Sequence, residues 1–144
     1  MKNFTYPAKM IPDGRSAGFV VTFRDIPEAI TQGEDIADAI FQAIDCLEEA
    51  IAGRLRLEEI IPQPSRSRKD EHLIPLPALM AAKAALYIAL KEAGITRIQL
   101  ANRLKCDEKQ VRRLLDPRHN SKICRIEEAL EALGKQLIVG YRAA

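Results

Sequence analysis

The chain has 144 residues, with 22 Lys and Arg against 20 Asp and Glu, which gives a formal net charge of +2 at pH 7. A chain of this length can bury one sizeable core or two small ones. Its three cysteines and two histidines form no disulfide or metal-binding spacing, and no stretch fits a signal peptide or a membrane span. The composition therefore predicts a cytoplasmic protein without a metal, a cofactor or a membrane partner.

The two halves of the chain carry opposite charge. Residues 1–62 contain 6 Lys and Arg against 11 Asp and Glu, whereas residues 63–144 contain 16 against 9. A basic C-terminal half suits nucleic acid, because neutralised phosphates supply most of the non-specific affinity. An acidic N-terminal half would repel DNA and suits a basic protein partner. The asymmetry indicates two parts with different partners.

The N-terminal part is predicted to be a compact α+β unit. Two strands rich in aromatic and β-branched residues are joined by a turn, and a short strand, an amphipathic helix and a final strand follow. The helix is expected to end at Gly53, and the polar stretch 62–70 is expected to be a crossover loop. The predicted strands are 4–11, 18–23, 29–31 and 72–76, and the predicted helix is 36–52.

The C-terminal part is predicted to be helical. An Ala-rich helix over 78–93 ends at Gly94, two short helices follow within 94–116, and a further helix covers 125–133. Residues 136–141 are predicted to form a last strand. Because a lone terminal strand has unpaired edges, we expect it to pair with its copy in a second subunit, which makes a homodimer.

The stretch 94–116 holds two short helix patterns with a tight turn between them. Thr96 and Gln99 have the spacing of a capping box, and so have Asp107 and Gln110. The apolar positions of both patterns can face one small core, which leaves a polar and mostly basic face on the second helix. Such a face can place side chains in a DNA major groove. The alternative is a helical hairpin with a solvated charged face.

The same stretch resembles the helix-turn-helix of phage-repressor-like, Xre-type proteins. The resemblance lies in Leu100-Ala101 of the first helix and in the Val-x-Arg-Leu pattern that begins at Val111. That family usually has Gln in place of Arg97 and a small residue in place of Lys105. We expect base-edge contacts from Glu108, Lys109, Gln110 and Arg113, and phosphate contacts from Arg97, Lys105, Arg112, Arg118 and Lys122.

The N-terminal part carries a more specific motif. The strand that ends at Phe23 is followed by Asp25-Ile26-Pro27 and then by Thr31-Gln32-Gly33 before an acidic helix. This pattern resembles the HicB family of antitoxins. The residues alone also fit a simple strand exit, in which Pro27 fixes the backbone, and a loop that leads into the helix.

The resemblance to the HicB family implies a fold and a function for the whole chain. The fold class is α+β: a partly RNase H-like α/β sandwich over residues 1–77, then an all-α helix-turn-helix domain over 78–144 that ends in a dimerisation strand. The implied function is an antitoxin that occludes a small basic RNase of the HicA type and represses its own operon at double-stranded operator DNA. The residues expected to bind the toxin are Phe19, Val21, Phe23, Asp25, Asp38 and Asp45.

The sequence predicts no enzyme. His72 and His119 have no nucleophile near them in the chain, and the carboxylates of the helix after Gly33 are mostly spread over an exposed face. There is no phosphate-binding Gly-rich loop and no Gly-x-Ser-x-Gly motif. Two other classes of function stay open. One is a ligand-responsive helix-turn-helix transcription regulator without a toxin partner, and the other is an RNase H-like nuclease.

Overall fold

A computed structural model describes all 144 residues of the chain. The chain forms two compact units, Met1–Ala81 and Ala82–Ala144, which we call the N-terminal and the C-terminal unit. Four strands and five helices make up the regular structure, which agrees with the predicted α+β class. None of the helices combines the length and the apolar character that crossing a membrane requires.

Every predicted element except the last strand is present, with ends that differ by a few residues. The N-terminal unit contains β1 (Thr5–Pro12), β2 (Phe19–Phe23), β3 (Ile30–Gly33), α1 (Ile36–Arg56) and β4 (Glu71–Pro75). The C-terminal unit is helical, and its first helix begins shortly before the unit itself. Its helices are α2 (Ala78–Ala93), α3 (Arg97–Leu104), α4 (Glu108–Leu115) and α5 (Ile123–Ala132).

The four strands form one antiparallel sheet in the order β3-β2-β1-β4. Side chains directly opposite each other on paired strands lie on one face, so Ala8 and Phe23 share a face, as do Tyr6 and Ile74. These four side chains are at most 2% exposed, and α1 packs against the sheet. The core of the N-terminal unit therefore lies between α1 and this face.

Gly33 lies where the end of β3 meets the start of α1. A Cβ atom at this position would collide with the backbone of Ala39, which is itself fully buried. Only glycine allows the strand to approach the helix this closely. The glycine of the Thr31-Gln32-Gly33 motif therefore has a packing reason that is independent of any partner.

Helix α1 continues past Gly53, where the sequence predicts its end. It ends at Arg56, and Leu57 is its C-cap. Leu55, in the added turn, is 5% exposed. Burial of a leucine side chain contributes about 1.5–3 kcal/mol, whereas a glycine inside a helix costs about 1 kcal/mol. The predicted helix end is wrong because packing of the added turn outweighs the helix propensity of glycine.

Tyr6 lies in the core of the N-terminal unit and is fully buried. Its hydroxyl donates a 2.7 Å hydrogen bond to the carbonyl oxygen of Pro62 and so holds the connector between α1 and β4. The pKa of Tyr6 is raised from 10.0 to about 12, mainly because the side chain is buried. The negative charge of Asp25 raises this pKa further.

We expect the free energy of unfolding to decrease as the pH rises from 10 to 12. In this range the unfolded chain loses the Tyr6 proton while the folded chain keeps it, so deprotonation favours unfolding. Urea unfolding at about pH 8 and about pH 11 measures the decrease, which should be smaller in Tyr6→Phe than in the wild type. An equal decrease in both proteins would contradict the assignment to Tyr6.

The segment 136–141 is not a strand in this structure. Its apolar side chains Ile138 and Val139 are 62% and 82% exposed. A strand needs a neighbour for its N–H and C=O groups, and the single chain provides none here. The predicted strand is therefore wrong for the single chain, and its pairing with a second copy stays a prediction.

Candidate functional site

Helices α3 and α4 both begin at the predicted caps. Thr96 Oγ1 accepts the N–H of Gln99 at 3.1 Å, and Gln99 Oε1 accepts the N–H of Thr96 at 2.8 Å, which completes a capping box. Asp107 Oδ1 accepts the N–H of Gln110 at 2.9 Å, but Gln110 Oε1 accepts from Arg125 at 3.2 Å instead of reaching back to the cap. The second box is therefore half formed, and its other half connects α4 to α5.

The turn between α3 and α4 requires a left-handed backbone at Lys105, with φ 55° and ψ 43°. The N–H of Lys105 donates to Asn102 O at 3.3 Å, and the N–H of Cys106 donates to Ala101 O at 3.0 Å. Glycine is the usual residue at such a helix end, and a side chain there costs about 1–2 kcal/mol. The chain accepts this cost and thereby presents an exposed lysine between the two helices.

The exposed face of α4 is centred on Lys109 and Arg113. These two residues are one helical turn apart, and neither side chain forms a hydrogen bond or an ion pair within the chain. Val111, Leu114 and Leu115 are buried on the opposite side of the helix. The core therefore holds α4 so that two unpaired cationic side chains point to solvent.

The other polar residues of α4 have partners within the chain. Glu108 forms a 2.9 Å ion pair with Arg112, and Gln110 accepts from Arg125. These bonds occupy part of the donor and acceptor capacity of each side chain and restrict its orientation. Both bonds are exposed, and an exposed ion pair contributes about 0–1 kcal/mol. The geometry consequently favours Lys109 and Arg113 as the first contacts.

The remaining predicted DNA contacts lie near α4 along the chain. Arg97 begins α3 and is half-buried, whereas Arg118 and Lys122 are exposed in the segment between α4 and α5. Lys122 is the N-cap of α5, but its side chain makes no capping hydrogen bond. The segment that enters α5 therefore exposes two further cationic side chains.

The outward face of α1 carries the carboxylates predicted from the sequence, and beside them an exposed aromatic ring that was not predicted. Phe41 is 67% exposed. Asp38 and Asp45 lie one helical turn before and one turn after it, and Glu48 and Glu49 follow in the next turn. The helix has no Lys or Arg before its last turn. We call Phe41 with these four carboxylates the α1 surface.

Three carboxylates of the α1 surface, those of Asp45, Glu48 and Glu49, repel one another. Burial is the main cause that raises the pKa of Glu48, and the charges of Asp45 and Glu49 raise it further. Burial also raises the pKa of the Cys46 thiol, and the negative charge of Asp45 raises it further. All three cysteines of the chain are free. A cationic partner would relieve this repulsion, because an opposite charge favours the ionised carboxylates.

Two residues predicted to contact a toxin are core residues in the structure. Val21 and Phe23 are 0% and 2% exposed, on the side of β2 that faces α1, and Phe19 is half-buried on the same side. A partner cannot reach Val21 or Phe23 without opening the unit. This placement corrects the prediction, because the apolar alternation of β2 identifies the face that packs against the helix.

The three predicted carboxylates differ in their surroundings. Asp25 accepts both the backbone N–H of Ser65, at 2.8 Å, and its hydroxyl, at 2.5 Å, so it holds the connector at the end of β2. Asp38 accepts the N–H of Glu34 at 2.9 Å, just before α1. Asp45 is exposed and has no hydrogen-bond partner. Of the three, Asp45 is the carboxylate most available to another molecule.

The candidate site consists of two exposed surfaces suited to binding, the α1 surface and the outward face of α4. No three His, Cys, Asp or Glu side chains lie close enough to hold a metal ion. His119 Nδ1 lies 2.8 Å from Ser121 Oγ, but this serine is 7% exposed and donates to the backbone carbonyl of Arg113. The pair therefore connects a loop to a helix and does not present a nucleophile. The two surfaces offer a negative face with an aromatic ring and a positive helix face.

Comparison with known proteins supplies a family. Residues 5–85 match the family model described as a HicB-like antitoxin of bacterial toxin–antitoxin systems. The chain is 37% identical to Antitoxin HicB of Escherichia coli strain K12 over 132 residues, which cover 92% of this chain and 95% of the relative. It is 34% identical to Antitoxin HicB 1 of Photorhabdus laumondii over 137 residues, 95% of this chain and 86% of that protein. Antitoxin HicB of Pseudomonas fluorescens is 36% identical over 121 residues, 83% of each chain.

Proposed function

The chain belongs to the HicB-like antitoxin family of bacterial toxin–antitoxin systems, and we propose that it works without catalysis, in the cytoplasm, by binding two partners. Residues 1–77 bind and occlude a small basic RNase toxin of the HicA type. Residues 78–144 bind operator DNA and repress the operon of the protein. The observation that supports this division is the opposite charge of two exposed helix faces, on α1 and on α4.

The proposed toxin contact is the α1 surface. Its exposed ring offers an aromatic anchor, and aromatic side chains dominate the energetics of protein interfaces. Asp45 and its neighbouring carboxylates supply charge that complements a basic partner, which increases the association rate and excludes acidic partners. Occlusion of the toxin is enough for inhibition, so this chain needs no chemistry of its own.

The proposed DNA contact is the helix-turn-helix formed by α3 and α4. Lys109 and Arg113 reach base edges from the exposed face of α4, and the surrounding cationic side chains contact phosphates. A homodimer would place two such helices about 34 Å apart, one turn of the duplex, on a palindromic site. The segment 136–141, which is not a strand in the single chain and is mostly exposed, would form a strand by pairing with its copy in the second subunit.

We expect Lys105→Gly to separate stability from DNA binding. Glycine removes the left-handed strain at this position and is expected to raise the free energy of unfolding by about 0.5–1 kcal/mol, since greater flexibility of the unfolded chain offsets part of the gain. Log affinity falls as log salt concentration rises, and loss of one phosphate contact should make the magnitude of this negative slope smaller by about 1. Thermal unfolding and DNA titrations at several salt concentrations measure both effects. An unchanged slope would exclude Lys105 as a phosphate contact.

Two experiments test the proposed function. The first is co-purification of the tagged full chain with the product of the adjacent reading frame, which should be a small basic protein held in a stable complex. The second is titration of the full chain with the DNA upstream of its own coding sequence and with a scrambled duplex of equal length. Specific binding should become steeply weaker as salt increases, because phosphate neutralisation releases counterions.

The outcomes distinguish the proposed function from the alternatives. DNA binding that responds to a small molecule, without a protein partner, would support a ligand-responsive regulator. Metal-dependent cleavage of nucleic acid by the purified chain would support a nuclease. Absence of both the protein complex and specific DNA binding would overturn the proposal.

A further inference from the structure

Lys83 is a buried lysine in the C-terminal unit. It lies on α2, and the residue is only 1% exposed. Lysine is almost never fully buried without a partner, because transfer of its charge from water is costly. No ion pair to Lys83 is present in the structure. The side chain therefore needs uncharged acceptors, and their location indicates what it does.

The ammonium group of Lys83 closes the C-terminal end of α4. Its Nζ donates to the carbonyl oxygens of Arg113 at 3.0 Å and Leu114 at 3.1 Å. These two carbonyls belong to the last turn of the helix, where few backbone N–H donors remain. The N–H of Asp116 reaches the Arg113 carbonyl at 3.2 Å, and Lys83 supplies the donor to the Leu114 carbonyl. A cation at a helix C-terminus also interacts favourably with the helix dipole. Lys83 is thus a long-range cap supplied by another helix.

The same Nζ atom also holds the segment that follows α4. It donates to Ser121 Oγ at 2.8 Å, and that hydroxyl donates in turn to the Arg113 carbonyl at 3.2 Å. His119 Nδ1 lies 2.8 Å from the same hydroxyl. One buried donor therefore connects α2 both to the end of α4 and to the segment that presents Arg118 and Lys122.

We propose that Lys83 is a positioning residue for operator recognition, which sets the placement of α4 and of the segment that follows it so that Arg113 and its neighbours meet the duplex together. This inference rests on the proposed operator binding. Lys83 itself is too deeply buried to touch DNA. It acts through the backbone carbonyl of Arg113, the residue whose side chain is exposed on the outward face. A displaced α4 changes the distance of every base contact at once.

The charge on Lys83 is a cost to the fold, which supports a functional reason for keeping it. Burial lowers the pKa of Lys83 from 10.5 to about 8, and the charge of Asp116 partly opposes this shift. Because the unfolded chain binds this proton more tightly, the contribution of Lys83 to stability is least favourable below pH 8 and improves as the pH rises towards 10.5. Replacement of a buried charge by an apolar residue is often neutral or stabilising.

Loss of the proton removes one of the three hydrogen bonds that Lys83 Nζ donates. A neutral amine has two N–H donors, so it cannot hold Arg113 O, Leu114 O and Ser121 Oγ at the same time. The charged and titratable groups around this network are Asp116, at the C-cap of α4, and His119, through Ser121. We therefore expect operator affinity to decrease as the pH rises above 8, while the fold stays intact.

The test compares Lys83→Met with Lys91→Met in the full chain. Lys91 is an exposed lysine on the same helix, so its replacement removes the same charge and leaves the network intact. The probe is the duplex upstream of the coding sequence, titrated between about pH 7 and about pH 9.5. We expect Lys83→Met to bind about tenfold more weakly at neutral pH, as for loss of one good base contact. Its affinity should then be independent of pH over this range, whereas the wild type and Lys91→Met weaken above pH 8.

Two further measurements make the result decisive. Thermal unfolding establishes whether Lys83→Met is folded, and toxin capture by the same samples should be unchanged. If Lys83→Met is unfolded, the inference is tested instead by the operator affinity of Ser121→Ala and by the pH profile of operator affinity in the wild type. Both measurements report on the same hydrogen-bond network. Equal affinity of Lys83→Met and the wild type across the pH range would overturn the inference. Absence of specific binding by the wild type would instead overturn the proposed operator binding.

Discussion

Phe41→Asp should abolish stable capture of the toxin while leaving DNA binding unchanged. Phe41 is 67% exposed at the centre of the α1 surface and contributes little to the core. Truncation of an aromatic anchor in an interface costs about 2–4 kcal/mol. The new carboxylate has the right sign for a basic partner but does not replace the contact area of the ring. We expect a loss of affinity of about this size in titrations of the full chain with the purified toxin.

Controls for this prediction come from the same unit. Ile30→Asp replaces an apolar side chain of similar exposure, 62%, at the edge strand β3, and should leave toxin affinity unchanged. Asp45→Asn on the α1 surface should weaken binding mainly through the association rate, because it removes a steering charge. Normal toxin binding by Phe41→Asp, together with a loss in Ile30→Asp, would place the interface on the sheet edge instead.

Arg113→Ala should weaken specific operator binding by about 1–3 kcal/mol, the cost of one base contact. Its side chain is exposed and unpaired on α4, so the fold loses no internal bond. The carbonyl of residue 113 remains available to Lys83, and helix propensity favours alanine. Titration with the upstream duplex and with a scrambled duplex separates the loss of specificity from a general loss of affinity.

The matched control for this variant is Arg56→Ala. Arg56 is an exposed arginine in the last turn of α1, in the other unit, so the charge change is the same. Its replacement should leave operator affinity unchanged and should not affect specificity. If Arg113→Ala lost toxin binding as well, the variant would be misfolded. If it weakened both duplexes equally, Arg113 would be a phosphate contact.

Local chemistry was predicted well from the sequence. The caps at Thr96 and Asp107 depend on hydrogen bonds across three residues, so the spacing of the side chains is sufficient to predict them. The exposed face of α4 follows from the positions of Val111 and Leu114 in the helical repeat. The motif that ends at Gly33 indicated the family, and the family model and the relatives confirmed it.

Long-range packing was predicted poorly. Alternation along β2 identified an apolar face, but only the position of α1 shows that Val21 and Phe23 fill the core rather than a docking surface. Glycine at position 53 predicted a helix end, yet burial of Leu55 extends the helix. A strand over 136–141 was predicted from its composition, and the single chain offers it no neighbour to pair with.

The sequence by itself determined the order of the elements, the helix caps, the opposite charge of the two parts and the basic character of α4, because each depends on residues close together in the chain. Tertiary structure alone decided that Phe41 is exposed among carboxylates and that Lys83 reaches the end of α4, 30 residues away. The residues next to a buried lysine in an Ala-rich helix do not indicate which groups accept its hydrogen bonds. Those acceptors are backbone carbonyls, which every residue possesses, so only packing of the helices selects them.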